Sequence, residues 1–479
     1  MRLRALMFVI PPFDFLADED IQDELLANGV QDLMLGFFRL FDDYPDPAGA
    51  RPPSPGEELN WWQQFADRPE ADNPIVTGPY TEGRFVRSYY ATPRRGRLVA
   101  PFHPTTRLYE GLGVVPPDMP SGLEAKSERL QHLVAELSAK GFRVYTFGSS
   151  DGPERWLEEQ RPCINNPRYD GYIGARLQDY YLHFPTIAGC VTDGPGYGYE
   201  ITPGFRGGGQ LFAPLCTCVH CQEKARAMGM DLAAMQAASE RIRQALHGLT
   251  PTQVDLFLES QQGIFDALDL LFEDSAAVDL LRFKTASVED SIARIYRAIK
   301  AANPKLEYGI CPRLPCFATM QGVNFRRLAQ VTDFIQSKHY LWMEGIDGFK
   351  GTLARYMRTL REWSPALDDA RLEALICRLL GVHLPSDYRV RDFERPAPKR
   401  FFDEVVYRES RKMLQRTGDP DKISPFLGLE HGGILLTAEE LKHTMQAMAD
   451  AGLHRFTYYI LNSISDEIWE VMSKFTATR

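Results

Sequence analysis

Residues 187–200 read IAGCVTDGPGYGYE, a short apolar run that stops on an acid and breaks at once into glycine, proline and tyrosine. An apolar run of this length between turn residues suits a strand buried on both faces. Asp193 sits where that strand ends, and Glu200 follows in the turn. The same pattern recurs along the chain. RALMFVI (4–10), VQDLMLGFF (30–38), FRVYTFG (142–148), LEYGICP (306–312), VTDFIQSKHY (331–340), ISPFLGLEHGG (423–433) and LHRFTYYIL (453–461) bring the number of candidate strands to eight.

Helical patterns separate most of these runs. DEDIQDELLANG (18–29) is acidic and amphipathic and closes on a glycine that suits a helix stop, and EAKSERLQHLVAELSAKG (124–141) and TAEELKHTMQAMADAG (437–452) also read as helices. Continuous apolar strands alternating with helices predict a parallel sheet, and eight of them predict an α/β fold, a (β/α)8 TIM barrel. A doubly wound open sheet is the alternative. AVDLLRFKTA (277–286) could be a ninth strand, but SVEDSIARIYRAIKAANP continues it with helical period, so it is read as helix.

The chain of 479 residues exceeds the usual single domain. It is read as one barrel domain over 1–479, with insertions on the loop faces at about 39–120, 199–275 and 343–420. A net charge of −10 argues against a nucleic-acid partner, and no run is long and apolar enough for a membrane span. The start, MRLRALMFVIPPFDF, has the basic opening of a signal peptide. Its apolar run is short, two prolines follow, and a small-residue cleavage site is missing. It is read as a first strand, which makes the cytoplasm the expected compartment. Self-association is left open. Eight cysteines in so long a chain do not suggest a disulfide scaffold.

In a barrel of this kind the chemistry sits at the C-terminal ends of the strands. Here those ends carry Asp14, the GSSD segment, Asp193, then Lys338, His339 and Tyr340, then Glu430 and His431, and finally Tyr458, Tyr459 and Asn462. Such a ring of acids, aromatics and donors suits a polyhydroxylated ligand, because aromatic faces stack on sugar C–H surfaces and acids bind hydroxyls or move protons. His103, in APFHPTT, and the Trp61–Trp62 pair are candidate substrate-loop residues. Tyr458 and Tyr459 are adjacent, so only one of them can face the barrel interior.

A carboxylate after strand four and another after strand seven resemble the arrangement in clan A glycoside hydrolases, and more closely that in family 42 β-galactosidases. In that family a Cys-x-Cys-x-x-Cys zinc site follows the strand-four acid. Here Cys216-Thr-Cys218-Val-His-Cys221 follows VTDGPGYGYE, and PCINNPRYDGYIGARLQDYYLHFPTIAG resembles the family's stretch before strand four. The resemblance implies Cys163 as the upstream ligand, GLEHGG as the nucleophile segment and RFTYYIL as the aromatic last strand. It is strongest over 160–235. The family carries Asn-Glu where this chain has Thr192-Asp193.

Three thiolates at this spacing can wrap one Zn²⁺, and a fourth protein ligand would make the site closed and structural. Cys163 is the expected fourth ligand, with His220 the alternative; four buried reduced thiols would be the metal-free reading. Asp193 and Glu430 are the expected catalytic pair of a glycosidase, with Glu200 the alternative acid. Asp193 could instead cap the DGPG turn, and Glu430 could simply pair with a cation. Glu200, Lys338, His339, Tyr340, His431, Tyr458 and His103 are expected to contact an oligosaccharide or glycoside substrate. Two rivals remain: a carbohydrate-binding barrel without hydrolysis, and a zinc hydrolase of a non-sugar substrate, which would need an open metal position.

Overall fold

Eight strands run parallel, and each pairs with the next in chain order. They are β1 (Arg4–Val9), β2 (Val30–Gly36), β3 (Arg143–Phe147), β4 (Gly189–Asp193), β5 (Glu307–Cys311), β6 (Phe334–Ile335 and Lys338–His339), β7 (Phe426–Gly428) and β8 (Arg455–Tyr459). The computed structural model describes residues 4–10, 13–36, 40–44, 75–77, 84–85, 94–148, 155–157, 163–201, 211–260, 274–342, 348–431 and 434–477. β8 returns to pair with β1, aligning Leu6 with Thr457 and Phe8 with Tyr459.

Closure depends on β6, which is interrupted at Gln336 and Ser337 yet serves both neighbours. Gln336 N donates to Ile310 O at 2.8 Å and Lys338 N to Pro312 O at 2.9 Å on the β5 side. On the β7 side, Ser424 N donates to Ile335 O at 3.0 Å and Phe426 N to Ser337 O at 2.9 Å. The sheet is therefore a closed (β/α)8 barrel, and the open doubly wound alternative is set aside.

Alternation along each strand separates two cores. Leu6, Phe8, Met34, Tyr145, Phe147, Val191, Cys311, Phe334, Phe426 and Tyr459 pack together inside the barrel. Met7, Leu33, Val144, Cys190, Ile310, Ile335, Leu427 and Tyr458 face outward into the layer shared with the helices. Bulky interior rings fit because small residues face them. A Cβ on Gly309 would lie 2.3 Å from the Phe334 ring, and one on Gly428 would lie 1.9 Å from Trp342.

The interior is polar at its N-terminal end. Arg143 donates to Asp32 at 2.6 Å and to Glu307 at 2.9 Å, and Tyr145 donates to Glu307 at 2.6 Å. One layer up, Gln336 Nε2 donates to Thr457 Oγ1 at 2.7 Å while its Oε1 accepts from the Cys311 thiol at 3.1 Å. These bonds satisfy groups that would otherwise be costly to bury.

The helices obey the sequence signals. The helix Glu124–Lys140 ends on Gly141 at φ 112°, a left-handed cap that a Cβ would disfavour. Pro167–His183 begins on Asn166, whose side chain caps Arg168 N, with proline in the first helical position. Ala438–Asp450 opens with a capping box between Thr437 and Glu440. Residues 277–286 lie within one 28-residue helix, Ser275–Ala302, so no ninth strand exists there.

Within the expected insertions, 39–120 contains a three-stranded antiparallel sheet of Leu40–Tyr44, Arg94–Val99 and Ile75–Thr77. Residues 199–275 contain helices Val219–Ala227, Leu232–Ala245 and Pro251–Ser260, and 343–420 contain Phe349–Trp363, Asp369–Leu380 and Tyr407–Thr417. Trp61, Trp62 and Asp151 lie outside the described residues. No helix among the described residues is long and apolar enough to cross a membrane.

Candidate functional site

β4 delivers Asp193 to the mouth of the barrel. Its side chain is 32% exposed, and its Oδ1 lies 2.7 Å from the Lys338 Nζ of β6, itself almost wholly buried. The strand register explains the meeting. Asp193 pairs with Cys311 of β5, and Lys338 N bonds to Pro312 O one residue beyond. Asp193 and Lys338 thus come from alternate strands and share one interior layer. Aromatic rings wall this layer. Tyr340 stacks on Trp342 with centroids 4.2 Å apart and stands 5.7 Å from both Phe426 and Tyr459. Lys338 Nζ lies 5.8 Å from the Tyr340 ring centre.

Asn462 ties the mouth together behind β8. It accepts from Ile10 N at 3.0 Å and donates to Ile10 O at 3.1 Å, joining the chain just after β8 to that just after β1. Glu430 and His431 lie just beyond β7, in a two-residue strand paired antiparallel with Ile434–Leu435. Their side chains lie outside the described residues.

Four of the expected ligand contacts are placed elsewhere. Glu200 is fully buried and held by Arg355 of the helix Phe349–Trp363 at 2.7 Å, with Thr352 donating at 3.4 Å. Tyr356 of the same helix donates to Tyr199 O. Glu200 is therefore a clamp between the loop after β4 and the helix after β6, with its charge already neutralised. Tyr458 faces the helix layer, where its hydroxyl approaches Met445 Sδ at 3.9 Å, and its neighbour Tyr459 faces the barrel interior.

His339 alternates with Lys338 and so points outward, with Nδ1 3.0 Å from Ser337 O. That carbonyl can only accept, so Nδ1 carries the proton. Burial depresses the His339 pKa to about 4. His103 is exposed and bonds to Asp118 at 2.8 Å. Its neighbour Phe102 stacks on His183, the last residue of the helix leading into β4, which places His103 toward the barrel end opposite the mouth.

Some residues at and around the mouth were not singled out in the sequence. Trp342 could have been found from the period-two aromatics of YLW at 340–342. Arg313 follows β5 and is nearly buried beside the β4 turn. Arg355 and Tyr356 had no local signal, because their partners lie more than 150 residues away.

The second cluster lies where the β4 loop meets the helix Pro167–His183. The sulfurs of Cys163, Cys216, Cys218 and Cys221 all lie within 4.8 Å of one another. Cys163 is 3.4 Å from Cys221 and 3.6 Å from Cys218, and all eight cysteines are free thiols. A tetrahedral zinc with Zn–S bonds of about 2.3 Å requires sulfurs about 3.8 Å apart, so four thiolates here fit such an ion. Asn165 adds donors to sulfur, from its backbone N to Cys163 at 3.4 Å and from Nδ2 to Cys221 at 3.3 Å. His220 is not part of the group; its Nδ1 is 4.0 Å from Glu223 on the next turn. Leu215, Ala225, Met230, Met235, Leu280 and Phe283 pack around the thiols, tying the loop to the helix Ser275–Ala302.

No protein-family model matches the chain, and no curated protein matches it. Among solved structures, the β-galactosidase of the Antarctic haloarchaeon Halorubrum lacusprofundi is similar at 12% identity and a TM-score of 0.46, over 100% of this chain and 58% of that one. The β-galactosidase of Marinomonas ef1 gives 8% identity and a TM-score of 0.46, over 99% and 59%. The β-amylase catalytic domain of Paenibacillus polymyxa gives 11% and 0.40, over 98% and 97%. The chain spans somewhat under three-fifths of each galactosidase. At such scores no residue role or substrate passes from them to this chain.

Proposed function

We propose that the protein is a glycoside hydrolase working at the barrel mouth, with Asp193 and Glu430 as its carboxylate pair and the four cysteines holding a structural zinc. The observation that carries the reading is Asp193 at the end of β4, about a third open to solvent, paired with Lys338 in a layer walled by Tyr340, Trp342 and Tyr459. Lys338 engages Oδ1 of Asp193 at the strand end. The aromatic rings offer stacking faces for a sugar, and two carboxylates flank an oxocarbenium-like transition state. Zinc in a four-thiolate site is coordinatively closed, so it would supply rigidity to the β4 loop and no open position for water.

A barrel that binds sugar without cleaving it is the second reading, favoured by the Asp193–Lys338 pair, which engages the strand-four acid in a contact of its own. A panel of aryl glycosides separates the two. Cleavage that falls by orders of magnitude in both Asp193→Asn and Glu430→Gln, with unchanged melting curves, supports the hydrolase. Saccharide binding without turnover on any member of the panel supports the second reading.

A further inference from the structure

Lys284 is a buried cation that meets no carboxylate among the described residues. It lies on the helix Ser275–Ala302 and is 3% exposed. Its Nζ donates to Leu211 O at 3.3 Å and stands 5.6 Å from the Tyr197 ring centre. Burial lowers its pKa to about 8. Two other cations near the cysteine cluster are matched. Arg294, which also donates to Ile164 O, is paired with Asp170, and Lys224 with Asp290. The position of Lys284 on its helix shows what stands across from it. Leu280, Phe283 and Lys284 share one helix face at spacings of three and four, and Leu280 and Phe283 pack with Cys163 and Cys221. Leu211 lies four positions before Leu215, another member of that apolar group. Burial pushes the Tyr197 hydroxyl up most, Ser287 pulls it back, and Cys221, Cys163 and Cys216 raise it further. The ring beside the ammonium is thus also beside the sulfurs.

Four thiolates around one divalent zinc make a dianion, which is costly to bury unless donors and positive charge meet it. Asn165 supplies donors without charge. We infer that Lys284 is the counter-cation of the four-cysteine site, a positioning residue that stabilises the zinc-loaded thiolates without touching the metal. The inference rests on the reading of the four cysteines as a zinc site. Thiols without metal are largely protonated near neutral pH, so the metal-free cluster offers the ammonium no opposite charge. Lys284 is then an uncompensated buried charge, and zinc binding turns that cost into an attraction. Removing the ammonium therefore favours the metal-free fold and weakens the loaded one.

The test is the zinc affinity of the full chain, measured under reducing conditions by competition with a chromophoric chelator. Wild type is set against Lys284→Met and Lys284→Gln. Glutamine can still donate to Leu211 O, so it separates the charge from the hydrogen bond. Both variants should bind zinc about tenfold or more weakly than wild type. Metal-free Lys284→Met should melt at or above the wild-type temperature, and zinc should raise its melting temperature by less than it raises that of wild type. A lysine with only a structural role would lower the metal-free melting temperature and leave the zinc-induced rise unchanged. If Lys284→Met does not fold, Lys284→Gln decides. Wild-type affinity in both variants overturns the inference and leaves the zinc reading standing. Weakening in Lys284→Met alone also overturns it, because a hydrogen bond and not the charge would then be responsible. A wild-type chain that binds no zinc sinks the zinc reading and this inference together.

Discussion

Lys338 on β6 meets Asp193 on β4 across an intervening strand, with Nζ and Oδ1 2.7 Å apart. The two residues are 145 positions apart in the chain, and only closure of the barrel places them in one layer. Asp193 is a third exposed, so solvent screens part of their attraction.

A double-mutant cycle of Lys338→Met and Asp193→Asn measures that contact. Its coupling energy should be about 1 kcal/mol in chemical denaturation, between a surface pair and a buried one. In the hydrolase reading Lys338→Met also lowers turnover by about tenfold or more, because Asp193 loses its orientation. A coupling energy near zero would show that the pair does not hold the acid.

Glu200 and Arg355 should behave differently, since both are buried. Glu200→Gln leaves a buried guanidinium without its counter-charge and should destabilise the fold by about 3–5 kcal/mol. Adding Arg355→Met should recover much of that loss. A Glu200→Gln protein as stable as wild type would contradict the clamp.

The metal prediction has two readouts. Purified protein should carry about one zinc per chain, and Cys218→Ser should lower both metal content and melting temperature, because ligand binding contributes folding energy. Metal-free protein with an unchanged melting temperature would remove the zinc reading.

His339 predicts a pH dependence. Burial lowers its pKa in the fold from 6.5 to about 4. A base that loses affinity for protons on folding stabilises the neutral-pH fold, so its contribution is complete above pH 6.5 and is lost as pH falls toward 4. The loss should approach roughly 3 kcal/mol at the acid end. His339→Asn should flatten the curve over that window; an unchanged slope would mean that the histidine is not buried neutral.

Adjacent tyrosines give a further contrast. Tyr458→Phe should change stability by less than about 0.5 kcal/mol, since among the described residues its hydroxyl makes a long contact to Met445 Sδ. Tyr459→Ala should weaken saccharide binding, because its ring belongs to the interior aromatic wall. Equal effects on binding from both would contradict the register of β8.

By itself, the sequence determined the eight strands, because a strand buried on both faces leaves a continuous apolar run that can be read locally. It also determined Asp193 at the end of β4, the helices over 124–141 and 437–452, and the cysteine triplet, whereas the tertiary structure decided that Cys163 and not His220 joins that triplet. The tertiary structure alone decided which neighbour of each pair faces inward, since register depends on partners: Tyr459 rather than Tyr458, Lys338 rather than His339. It alone also decided that Glu200 is matched by Arg355 and removed from the mouth, and that Arg313 joins the Asp193 turn. Charge pairing across more than a hundred residues leaves no local trace, because Coulomb attraction depends on distance in space and burial, and neither exists until the barrel closes.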